Sequence, residues 1–82
     1  MTALQQPDLM TGGFILKVNR KRIGFTQEQV AAMMDMNLKT YQRWERDNTE
    51  PSFGEVMAIC ECVFKVELLD AIVVAQEAKG GY

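Results

Sequence analysis

The chain has 82 residues, enough for a single domain near the lower limit at which one hydrophobic core suffices. It is 48% hydrophobic, but no apolar run approaches the roughly 20 residues of a membrane span. The start lacks the basic-then-apolar pattern of a secretory signal, so a cytoplasmic protein without membrane contact is expected. Two cysteines and no histidine exclude a disulfide scaffold and a Cys/His zinc site, and a net charge of −2 argues at first against nucleic acid.

Residues 1–13 are polar and hold Pro7 and the Gly12-Gly13 pair, which predicts a flexible arm. Helix one is expected over about Phe14–Ile23, with Leu16, Arg20 and Ile23 on one face and Gly24 as its stop. Phe25 then precedes Thr26, whose hydroxyl can cap a second helix. Gln29 completes a capping box with Thr26, Glu28 suits the positive end of the helix dipole, and Val30, Ala31 and Met34 form an apolar face. Asp35 tolerates the left-handed backbone of a sharp stop, and Met36 turns inward.

Asn37 caps helix three, which should run to about Arg46. Tyr41 and Trp44 lie three apart and face the core, leaving Leu38, Lys39, Gln42 and Arg43 on the opposite face. Asp47 to Pro51 reads as a loop, and Ser52 with Glu55 as a second capping box. Helix four presents Val56, Ile59, Cys60 and Val63 inward. Helix five is expected over Glu67 to about Ala78 through Leu68, Leu69, Ile72 and Val73, although Ala71–Ala75 is also compatible with a strand. The domain is thus placed at 14–78, with a fraying tail at 79–82.

Charge is unevenly distributed. Residues 14–48 carry seven basic and four acidic side chains, whereas 49–82 carry two basic and six acidic. This suits one face turned toward phosphate and an acidic end turned away. The major groove of B-DNA admits one α-helix and displays distinct donors and acceptors. Helix three has the required firm inner face and polar outer face. On it Arg43 can pair with guanine, Gln42 with adenine, Lys39 with a guanine edge or a phosphate, and Leu38 with a thymine methyl.

Gln27, at a helix N-terminus, is the best phosphate candidate; Thr26, Asn37, Arg46 and Asn48 flank the same groove. Lys17, Lys21 and Arg22 read as solvated helix surface. Cys60 and Cys62 point about 200° apart on a helix and are read as packing residues. No nucleophile with a base, no Gly-rich phosphate loop and no ligand cluster is present, so an enzyme, a metal, a cofactor or a small-molecule ligand is not expected.

Residues 26–46 resemble the helix-turn-helix of the phage repressor and Cro-like family, also called XRE-type. Gln27 opens the first helix of the pair, Ala31 is the small residue at the crossing, Tyr41 and Trp44 are the inward positions, and Trp44-Glu45-Arg46 matches a common W-E-R ending. The likeness runs from about Leu16 to about Leu69. It implies an all-α, five-helix, lambda-repressor-like domain that binds double-stranded DNA. It also implies a partly buried ion pair between Arg20 and Glu45, and a Gln27 that binds phosphate while supporting helix three. Asp35 and Asp47 stand where the family usually has glycine. With Glu50 these acids are expected to weaken DNA binding. Phe64-Lys65-Val66 fits the family spacing only with one extra residue.

One such domain reads too little DNA for tight specific binding, which predicts a homodimer on a palindromic operator. Leu68, Leu69, Ile72 and Val73 are the expected interface, unless they only close the monomer core. A repressor is the first reading. A restriction-modification controller, or an antitoxin whose C-terminal part binds a protein partner, stays open beside it.

Overall fold

Five helices and no strand make up residues 10–80, the part of the chain that the computed structural model describes. The first, α1 (Gly12–Ile23), is capped by Thr11, whose Oγ1 accepts from the Phe14 N–H at 3.1 Å. It ends at Gly24, where φ is 101° and the N–H donates to the Arg20 carbonyl. The helix therefore starts before Phe14, and Gly12-Gly13 belongs to it rather than to a loose arm; the rest of the expected arm, residues 1–9, lies outside the described residues. The reason is tertiary. Gly13 is pressed onto the Trp44 carbonyl with no room for a Cβ, and Gly12 lies against Pro51 and Val56.

The same junction settles two acids. Thr11 Oγ1 donates to Asp47 Oδ1 at 2.8 Å, and the Gly12 N–H donates to Glu50 Oε2 at 2.8 Å. Helix α1 has no acid in its own first turn, so the loop after helix three supplies the negative charge that its N-terminus favours. These two carboxylates are therefore hydrogen-bonded to the fold.

Helix α2 (Gln27–Met33) opens with the expected capping box: the Gln29 N–H donates to Thr26 Oγ1, and the Thr26 N–H to Gln29 Oε1. Asp35 takes φ 53° and the Met36 N–H returns to the Ala31 carbonyl at 2.9 Å, which makes the sharp turn. Helix α3 (Leu38–Glu45) follows, with Asn37 Oδ1 accepting from the Lys39 and Thr40 N–H groups. Asp47, at φ 62°, ends the next turn.

Helix α4 (Phe53–Ala58) carries the Ser52–Glu55 capping box and runs on as a π-helical turn over Ile59–Val63. There the Phe64 N–H reaches the Ile59 carbonyl five residues back, at 3.0 Å. A π turn is the local form of one inserted residue. Lys65 closes the helix in the left-handed region at φ 61°.

Helix α5 (Leu68–Gly80) is helical throughout, so the strand alternative is excluded, and Lys79 and Gly80 are part of it rather than of a frayed tail. Its inner face is not the large aliphatics. Ala71 and Ala75 are fully buried, Leu68 and Ile72 pack partly against the core, and Leu69 and Val73 are 73% and 49% exposed. Alanines let α5 approach α1 closely enough for the buried Asn19 Nδ2 to donate to the Ala71 carbonyl at 3.1 Å. The Lys79 ammonium sits 4.6 Å over the Phe14 ring.

Leu16, Val30, Tyr41, Ile59 and Cys60 form the center of the core, and Phe25 stacks on Phe64 at 6.2 Å. Ile23, placed on one face with the buried Leu16 and Arg20, is 41% exposed in the last turn before Gly24. Cys60 is buried, but Cys62, also read as a packing residue, is exposed, because the two lie on opposite sides of one helix. No helix among the described residues is long and apolar enough to cross a membrane.

Candidate nucleic-acid interface

Helix α3 is anchored from beneath. Tyr41 and Trp44 are buried with their rings edge to face at 6.1 Å. Beside them Glu45 meets Arg20 of α1 in a two-bond pair: Arg20 Nε donates to Glu45 Oε2 at 2.7 Å and Nη2 to Oε1 at 2.9 Å. Arg20 Nη1 also donates to the Phe25 carbonyl at 2.9 Å, so one guanidinium joins α1, the α1–α2 connection and the end of α3.

Burial opposes the charge on Glu45, but the hydrogen bonds it accepts from Arg20 and Gln27 and the Arg20 charge outweigh that, and its carboxyl titrates below the ordinary 4.5. The hydrogen bond to Glu45 likewise raises the Arg20 pKa against the cost of burial. A carboxyl depressed in the fold stabilises it fully above the unfolded value and loses that contribution as pH falls through the folded one. Stability measured by urea titration should therefore be flat near neutrality and decline below about pH 4.5. Glu45→Gln should flatten that acid limb while lowering the plateau; an unchanged limb would show that other carboxylates govern it.

The Tyr41 phenol is buried next to this pair without closing a hydrogen bond. Burial first, and then the Glu45 carboxylate, push its pKa far above the usual phenol value. A buried hydroxyl that lies beside the Glu45 carboxylate without good hydrogen-bond geometry returns little against its desolvation. Tyr41→Phe should thus leave stability unchanged or raise it by up to about 1 kcal/mol. A loss of that size in chemical denaturation would reveal a partner for the hydroxyl.

The outer side of α3 carries the residues that the sequence singled out. Lys39 and Arg43 are exposed on it. Leu38 is half-buried against the core, so only part of its side chain remains outward. Gln42 is also half-buried: its Nε2 donates to Gln27 Oε1 at 3.1 Å, and Gln27 Nε2 donates in turn to Glu45 Oε1 at 3.0 Å. The chain Arg20–Glu45–Gln27–Gln42 therefore runs from the buried ion pair to the surface of α3. The sequence pointed to each of these residues but not to the bond between Gln27 and Gln42, which joins positions 15 apart.

Gln27 is half-buried at the N-terminus of α2, with its amide engaged on both sides. Thr26 and Asn37 are exposed and act as helix caps through their side-chain oxygens. Arg46 and Asn48 are exposed just past the end of α3. Among the described residues no group of three or more Cys, Asp or Glu is placed to hold a metal ion.

Two helices joined by a sharp turn, the second pinned on one side and polar on the other, define the helix-turn-helix class of DNA-binding folds. A helix-turn-helix family model matches residues 16–68, well over half of the chain, and the protein belongs to that XRE-type, Cro-like family. No curated protein and no solved structure matches the chain significantly. The family is one of DNA-binding regulators.

Proposed function

We propose that the protein is a sequence-specific transcriptional repressor that binds a palindromic operator as a homodimer, with α3 in the major groove and in the cytoplasm of its cell. The observation that carries this reading is the two-sided build of α3: Tyr41, Trp44 and Glu45 are held inside while Lys39 and Arg43 stand in solvent. Arg43 and Gln42 read bases, Lys39 reads a base or a phosphate, and the outward part of Leu38 meets a thymine methyl. Gln27, Thr26, Asn37, Arg46 and Asn48 meet phosphates and fix register. Leu69 and Val73, exposed beside the half-buried Leu68 and Ile72, supply an apolar face on α5 for the second subunit.

Selection of bound sites from random duplexes tests this. The wild type should yield a palindrome with half-sites about one helical turn apart. Arg43→Ala should relax preference at one position per half-site, at a cost of ~1–3 kcal/mol. A loss uniform across sequences would confine Arg43 to phosphate. A protein that stays monomeric by light scattering while binding tightly would overturn the dimer, and an exposed α5 would then favor a protein partner of another kind.

A further inference from the structure

The relay behind α3 has a direction, and a buried carboxylate imposes it. Glu45 can only accept hydrogen bonds when ionised. Its Oε1 already takes Arg20 Nη2 at 2.9 Å and, 3.0 Å away, faces the Gln27 side chain. The group that Gln27 turns to Glu45 must therefore be its NH2, which leaves Gln27 Oε1 pointing the other way. That oxygen can only accept, so Gln42 must meet it with its own NH2, as the 3.1 Å contact has it. Each amide is locked in one of its two orientations by the acceptor behind it.

The locked orientation has a consequence for recognition. With one Nε2 hydrogen committed to Gln27, Gln42 retains its second N–H and its Oε1. Side by side, these match the N7 acceptor and the N6 amino donor of adenine. Turned over, the amide would offer the same two groups in reverse order: a donor against the amino group and an acceptor against N7, both repulsive. Guanine, with acceptors at both N7 and O6, meets one mismatch in either orientation.

We infer that Glu45, which does not reach the groove, is a specificity-determining positioning residue: through Gln27 it fixes the amide orientation of Gln42 and so the choice of adenine at the base pair that Gln42 faces. This inference rests on the placement of α3 in the major groove proposed above. It makes Gln27 a conductor of polarity as well as a phosphate contact, and the same carboxylate that holds α1 to α3 also selects a base.

The test is site selection from random duplexes with the whole chain. Gln42→Ala first identifies the operator position that depends on Gln42. Glu45→Gln then offers Gln27 either a carbonyl or an amino group, which frees the relay to run in both directions. The preference for adenine at that one position should fall by about tenfold, while preferences elsewhere in the half-site persist. Glu45→Gln also leaves Arg20 without its charge partner, so Gln27→Met serves as the second variant. It keeps the ion pair, cuts the relay, and should loosen the same position with the helical circular-dichroism signal retained.

Unchanged adenine preference in both variants overturns the inference and leaves the DNA-reading function standing. So does a loss of affinity spread evenly over all positions, which would assign Glu45 and Gln27 to stability and phosphate alone. A wild type that ignores duplexes of every sequence at low salt removes the function itself, and the inference with it.

Discussion

Gly13→Ala should destabilise the protein by about 3 kcal/mol or more, measured by urea denaturation with helical circular dichroism. Most glycine-to-alanine changes inside a helix stabilise, by roughly 1 kcal/mol. Here the sign reverses, because the added methyl would collide with the Trp44 carbonyl, which is backbone and cannot swing aside. The collision would lever α1 off the C-terminal end of α3 and strain the Thr11–Asp47 and Gly12–Glu50 bonds beside it. Gly54 provides the internal control. It lies in the first turn of α4 with nothing near the position of a Cβ, so Gly54→Ala should be neutral or slightly stabilising. Equal effects at the two sites would show that the α1–α3 contact is loose in solution.

Removing one partner of the Arg20–Glu45 pair should cost about 3–5 kcal/mol, the second large effect. Both side chains are nearly inaccessible, at 11% and 3%, so the surviving charge would be left buried and unpaired. Arg20→Met and Glu45→Leu are the informative single changes. The double variant should recover a good part of the loss, since it removes the uncompensated charge, though not all of it. Arg20 also holds the Phe25 carbonyl, and Glu45 also holds Gln27. A double-mutant cycle would give a coupling of several kcal/mol; a coupling near zero would mean that water screens the pair far more than its burial implies.

The parts of the fold legible in the sequence are those whose causes are local. Thr26 with Gln29, Asn37, and Ser52 with Glu55 announce helix starts because capping is settled within three or four residues. Asp35 was recognisable as a left-handed turn residue for the same reason. The spacing of Tyr41 and Trp44 identified the inner side of α3.

Where causes are distant, sequence reading failed. Two adjacent glycines look like a flexible arm until the Trp44 carbonyl, 31 positions on, is seen to need the space. Nothing near Asp47 and Glu50 in the sequence announces their bonds to Thr11 and Gly12 at the N-terminus of α1, more than 35 positions away. In α5 hydrophobicity pointed to leucine, isoleucine and valine, whereas close helix packing selected Ala71 and Ala75. At the candidate interface the individual side chains and the Arg20–Glu45 pair were visible in the sequence, but the bond between Gln27 and Gln42 was not.

The antiparallel arrangement of α1 and α5 brings Lys79 back over Phe14, which places both ends of the described chain at the same pole of the molecule. A short bridge is therefore enough to splice the C-terminal end onto the N-terminal one. A circularly permuted gene cut at the exposed Lys65 would begin with α5 and finish with α4 and the π turn that continues it, leaving α1, α2 and α3 consecutive between them.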